Sequence, residues 1–220
     1  VYDAEGELIQ KMKNDDIIDE SSISSGSLYE DNRVKGADLT QDKYPYTVEY
    51  EYEILFKYLY QIPNWYVVSS PNTSVQRSEY IVKAPADLLP RFKVLNTDKV
   101  ADTYQEGDLV INSWTFDNVI PYENEVFGRG YLDITPIIYC APSKFKYEDY
   151  EGDMSTWAGL ADWQNKLNAG RDELPASTIK KVQDLTKDLN TNREKAKVIY
   201  EFMQAKTRYV SVQLGIGGFQ

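Results

Sequence analysis

Between residues 34 and 140 the sequence holds no helical period of any length. It carries short segments with apolar residues at every second position, and this pattern restricts the fold more than any other feature. The clearest is Thr47 to Lys57, TVEYEYEILFK, where Val48, Tyr50, Tyr52, Ile54 and Phe56 alternate with Thr47, Glu49, Glu51, Glu53, Leu55 and Lys57. A period of two puts an apolar and aromatic row on one face of a strand and mostly acid on the other, the mark of a half-solvated antiparallel strand. Further strands are expected at Trp65 to Ser69, Val75 to Lys83 (ended by Pro85), Arg91 to Leu95, Leu109 to Phe116 and Ile134 to Cys140. Turn residues punctuate them: PN at 63–64, SPN at 70–72, EGD at 106–108 and GRG at 128–130. Such spacing predicts a mainly β fold with α, an antiparallel β-sandwich followed by a small three-helix segment, and disfavours a doubly wound α/β sheet. Eighteen Tyr and four Trp suit the pleated, half-buried surfaces of strands.

Upstream, VYDAEGELIQKMK reads as a hairpin with its turn at Ala4 to Gly6, and SSISSGS from Ser21 to Ser27 reads as a loop. The character changes near residue 150. Within Asp153 to Asn168, Trp157, Leu160, Ala161, Gln164 and Leu167 fall at helical spacing, and Gly170 sits at a C-terminal cap. Pro175 takes a first-turn position, followed by a stripe of Ile179, Val182, Leu185 and Leu189. Thr191 and Glu194 match a capping box opening a third helix, whose buried face is expected to be Ala196, Ile199, Phe202 and Met203. The β pattern returns at Tyr209, Val210 and Val212. The expected organisation is a β-sandwich domain over 1–145 and a helical region over 146–220.

Charge excludes several function classes. The chain has 24 Lys and Arg against 35 Asp and Glu, a net charge of −11. Nucleic-acid binders need a basic stripe to displace counterions from phosphates, and none is present. The basic clusters Lys180-Lys181 and Lys195 to Lys197 lie among acids on helical segments and read as solvated faces. No apolar run approaches the ~20 residues of a membrane span. There is no histidine. A Cys-His or Ser-His nucleophile therefore lacks its base, and the usual zinc ligand sets cannot be assembled. No cofactor, metal or catalytic residue is expected in this chain.

Four features invite reading as sites. The terminal GIGG at 215–218 lacks both the G-x-G-x-x-G fingerprint and the Lys-Ser/Thr of a P-loop. Asp149, Glu151 and Asp153 resemble a calcium loop only in their first spacing: the sixth position is Met154 and the twelfth Leu160, so a connecting loop is expected. Cys140, the one cysteine, ends an apolar run and reads as a small buried hydrophobe. Trp65, Trp114, Trp157 and Trp163 form either a core or an aromatic platform for sugar.

The helical end, NREKAKVIYEFMQAKTRYVSVQLGIGGFQ from Asn192 to Gln220, resembles the lead-in to bacterial transglutaminase-like domains. SSGSLYEDNRVK (Ser24 to Lys35), YPYTVEYEYE (Tyr44 to Glu53), APSKFKYEDYEGDMSTW (Ala141 to Trp157) and GRDELP (Gly170 to Pro175) resemble an uncharacterised β-sandwich domain that precedes such cores in bacterial envelope proteins. The resemblance implies a thiol enzyme whose G-x-C segment, His and Asp lie past Gln220; Cys140 does not match that pattern. This region is then expected to be non-catalytic, supporting or selecting substrate for the downstream core, in a periplasmic or envelope location. Its implied partners are that core and a protein, peptide or glycan ligand. The alternative is an autonomous glycan- or peptide-binding β-sandwich module. The apolar helix stripes need cover, expected from the β-sandwich or from a second copy in a homodimer.

Overall fold

The computed structural model describes residues 1–23 and 25–213, with the backbone alone at 27–29. The GIGG segment at 215–218 lies outside the described residues. The chain divides into two compact units, one of Val1–Leu55 with Asn168–Gln220 and one of Phe56–Leu167. In chain order the strands are β1 (Ile18–Ser21), β2 (Ser27–Tyr29), β3 (Arg33–Gly36), β4 (Trp65–Tyr66), β5 (Val75–Pro85), β6 (Arg91–Leu95), β7 (Asp102–Glu106), β8 (Leu109–Val119), β9 (Ile137–Ala141), β10 (Lys144–Tyr147), β11 (Tyr150–Asp153) and β12 (Ser211–Val212). The helices are α1 (Trp157–Asn168), α2 (Ala176–Thr186) and α3 (Asn192–Lys206). The chain is mainly β with α, as its alternation predicts.

The unit Phe56–Leu167 is built on two three-stranded antiparallel sheets, ordered β4-β9-β6 and β5-β8-β7. Their inner faces meet in one apolar cluster. Trp114 and Phe116 of β8 and Ile138 of β9 are buried there with Val67 and Val68, and Trp65, Tyr80, Phe92 and Val94 pack around them. Alternation makes this possible: Phe92 and Val94 turn inward while Arg91 and Lys93 stay exposed. Register follows the same rule, with Tyr80 opposite Trp114 and Phe92 opposite Cys140. Burying each such side chain stabilises by roughly 1.5–3 kcal/mol. The β7–β8 turn is made at Gly107, whose φ of +60° suits glycine. A second cluster lies under a β10–β11 hairpin that pairs Phe145 with Gly152 and Tyr147 with Tyr150. The sequence pattern anticipates neither the β7 strand nor this hairpin.

The other unit holds the antiparallel pair β1–β3, the parallel pair β2–β12, and the helices α2 and α3 packed on each other. Its first residues turn as expected: Gly6 N–H donates to Asp3 O, and Tyr2 bridges both Leu8 and Thr47. At α3 the Thr191 side chain accepts from Glu194 N while Glu194 accepts from Thr191 N, completing the capping box.

Three expectations are corrected. Residues 47–57 form no strand; only Thr47 is bridged, and Tyr52 is 80 % exposed. Alternation makes a segment amphipathic, but a strand also needs a hydrogen-bonding neighbour, and none of the described residues supplies one. In α1 the buried side chains are Trp163 and Leu167, whereas Trp157, in the first turn, is 87 % exposed. In α3 the covered face is rotated from the expected stripe, so that Val198 and Phe202 are half-buried while Ala196, Ile199 and Met203 are exposed.

Candidate functional site

The four tryptophans do not form a platform. Trp114 and Trp65 belong to the sandwich core, where Trp65 stacks on Tyr80 at 5.6 Å and donates from Nε1 to Ser78 Oγ at 2.8 Å. Trp163 is 8 % exposed in the second cluster, and only Trp157 faces solvent. Aromatic content alone could not make this distinction, because a ring on a strand is equally suited to a core or a surface.

Cys140 is buried in β9, and its backbone N–H donates to Asn64 Oδ1 at 3.0 Å. Burial pushes its thiol up from the ordinary value, and the hydrogen bond with Tyr80 only partly offsets this. A nucleophilic cysteine needs the opposite shift. Asp149, Glu151 and Asp153 do not share a connecting loop. Asp149 lies in the hairpin turn after Glu148, whose φ is +52°, while Glu151 and Asp153 belong to β11. Asp153 accepts from Ser155 N at 2.7 Å and from Ser155 Oγ. Those bonds, together with Lys144 and Arg91, hold its carboxyl below the usual range. Among the described residues no three His, Cys, Asp or Glu side chains converge as a metal would require.

What the sequence did not reveal is a cleft of about 490 Å³ where the β10–β11 hairpin meets α1. Its floor is Phe145 and Trp163, packed edge to face at 5.1 Å, with Leu59 and Leu88 beside them. Tyr60 extends the cluster, 5.2 Å from Phe145 and 5.8 Å from Trp163. Two glycines let the helix come this close. A Cβ on Gly152 would stand 2.8 Å from Trp163 Cδ1, and one on Gly159 would stand 2.5 Å from Asp153 O. The rim carries Lys144, Lys146 and Lys166 against Glu151, Asp153 and Asp162, a balanced set. Ladder pairing sets Lys144 opposite Asp153 and Lys146 opposite Glu151. The Trp163 Nε1 donor is buried and finds no acceptor among the described residues. An apolar floor, a rim of both charges and one unmatched donor suit a segment of peptide better than a uniformly charged ligand. A larger hollow of about 570 Å³ in the other unit, between Asp3–Glu5 and Gln41–Tyr46, has no buried aromatic floor.

Among the described residues no helix is long and apolar enough to cross a membrane. The sequence profile of DUF3857, a domain of unknown function with a solved structure, matches residues 1–123. No curated protein matches the sequence. A crystal structure described as a "putative protease" from Parabacteroides distasonis is 14% identical, with a TM-score of 0.48, over 75% of this chain and 29% of that one. This chain thus spans less than a third of that protein's length.

Proposed function

The chain belongs to the DUF3857 family, and from that premise we propose that it is a non-catalytic region that supports, or selects substrate for, a transglutaminase-like cysteine peptidase or acyl-transfer core in a longer chain. One observation carries this reading: the only thiol, Cys140, is 5% exposed in the sandwich, with its pKa pushed up rather than down. With no histidine in the sequence, no imidazole base is present to activate it. The likeness of residues 192–220 to the approach of transglutaminase-like cores supports the rest. On this reading the unit Phe56–Leu167 carries the accessory sandwich, the helical end at 192–220 leads into the core, and the compartment is the periplasm or cell envelope.

The test is to read the gene beyond the codon for Gln220 and assay the longer protein. A G-x-C segment followed by His and Asp, with thiol-dependent turnover that Cys140→Ser leaves intact, is the expected result. Turnover by the 220-residue chain alone that Cys140→Ser abolishes would overturn the reading.

A second reading, an autonomous peptide- or glycan-binding module, is favoured by the cleft over Phe145 and Trp163. The chain has four tryptophans, so the fluorescence change that a Trp163→Phe variant lacks reports on it. Saturable quenching by peptide, lost in Lys166→Glu while the fold is kept, would favour this module. Trp65→Ala does not discriminate, because Trp65 is a core residue.

A further inference from the structure

Residues 48–56 combine a two-residue alternation with an unpaired backbone. Among the described residues no strand pairs with them. Tyr50, Tyr52, Ile54 and Phe56 are all at least 59% exposed. Glu49, Glu51 and Glu53 form the alternate row. Such a segment has the alternation of an amphipathic strand but no sheet partner among the described residues, and its apolar side chains face water. Its complement is a sheet edge of the same period, apolar on one face and basic on the other.

The β6 strand is such an edge. It ends the sheet β4-β9-β6, with Phe92 and Val94 toward the core and Arg91 and Lys93 exposed between them. Other strands with bases already hold carboxylates. On β3, Arg33 and Lys35 bind Asp19; on β5, Arg77 binds Asp117 and Lys83 binds Glu106. Lys144 and Lys146 of β10 face Asp153 and Glu151 across their own ladder. On β6, Arg91 donates to the carbonyl of Met154 at 2.8 Å, and no ion pair is found for Lys93 among the described residues.

We propose that residues 49–53, within this segment, of one copy add as an antiparallel strand to β6 of a second copy, forming a homodimer. With Glu51 opposite Lys93, Tyr52 falls opposite Phe92, Glu53 opposite Arg91 and Tyr50 opposite Val94. The two apolar pairs then share the core-side face and the two pairs of opposite charge share the solvent face, with Glu49 left opposite Leu95. A slip by one residue would set the acids over the core face, so the register is specified. Each copy supplies one segment and one edge, the stoichiometry of a two-fold dimer. The inference is independent of the role proposed above.

Light scattering on the purified 220-residue chain tests it. The expected mass is twice 25.3 kDa, falling to 25.3 kDa on dilution. Glu51→Lys and Lys93→Glu should each raise the dimer Kd by about tenfold, and the two together should restore it. In a Cys140→Ser background, Glu51→Cys with Lys93→Cys should be joined between chains by a bismaleimide. A 25.3 kDa species at every concentration overturns the proposal. So does a dimer indifferent to both charge reversals, or a crosslink formed within one chain. Should a charge variant fail to fold, the wild-type mass and the crosslink still decide.

Discussion

Gly152 of β11 lies against the indole of Trp163 in α1, so closely that a Cβ on the glycine would stand 2.8 Å from Trp163 Cδ1. The same Cβ would also collide with the Phe145 ring. Both rings are buried, and neither can swing aside without opening the cleft floor. Overpacking of this kind costs about 1–3 kcal/mol. Gly152→Ala should lower the melting temperature by several degrees and red-shift Trp163 emission. An unchanged melt would show that the hairpin and helix are not in contact as described.

Gly159 gives a sharper test, because two effects oppose. By helix propensity alone Gly159→Ala should stabilise α1 by about 1 kcal/mol. The added methyl, however, would stand 2.5 Å from Asp153 O, a backbone atom at the end of β11 that cannot rotate away. The clash should win, and Gly159→Ala should destabilise in a urea melt. Stabilisation would mean that α1 approaches β11 less closely.

The capping box links stability to acid pH. Glu194 is held below the usual carboxylate range, first by the Thr191 hydroxyl and then by the Thr191 backbone N–H. Asp153 is likewise lowered, first by the Ser155 side chain. A carboxyl whose pKa is depressed by folding stabilises above its unfolded pKa, about 4. That contribution is lost as pH falls through the folded value. Stability should therefore hold from neutral pH down to about 4 and fall below it. Thr191→Ala should cost about 1 kcal/mol as a lost N-cap and return the Glu194 titration, followed by carboxyl NMR, toward its ordinary range.

The sequence made the sandwich strands legible wherever alternation coincided with a partner: β5, β6, β8 and β9 lie close to their expected places. It misled where alternation had no partner, at residues 47–57, since pairing is a long-range property that local pattern cannot encode. The β10–β11 hairpin was hidden by its acids and by Gly152, which read as loop. Its glycine is there for the close approach of Trp163, which no local pattern signals. The cleft stayed invisible for the same reason. Its charged residues look like ordinary solvated charges until the hairpin folds onto α1. The Thr191–Glu194 cap was legible because it is local, spanning one helical turn.

Cys140 offers the last test, and it bears on function. Burial pushes its thiol up, and desolvation of Tyr80 beside it acts the same way on that phenol. For an acid whose pKa folding raises, the contribution to stability is complete below the unfolded value and is lost as pH rises through the folded one. The fold should therefore weaken at alkaline pH, above the ordinary thiol range, and Cys140→Ala should remove the thiol's share of that loss. In the native state at pH 8, Ellman's reagent should leave Cys140 unmodified, and one equivalent should react once guanidinium unfolds the chain. The native modification rate should rise with denaturant in parallel with unfolding. Rapid stoichiometric labelling of the native protein would place the thiol within reach of solvent and remove the main support for the chain as a non-catalytic region.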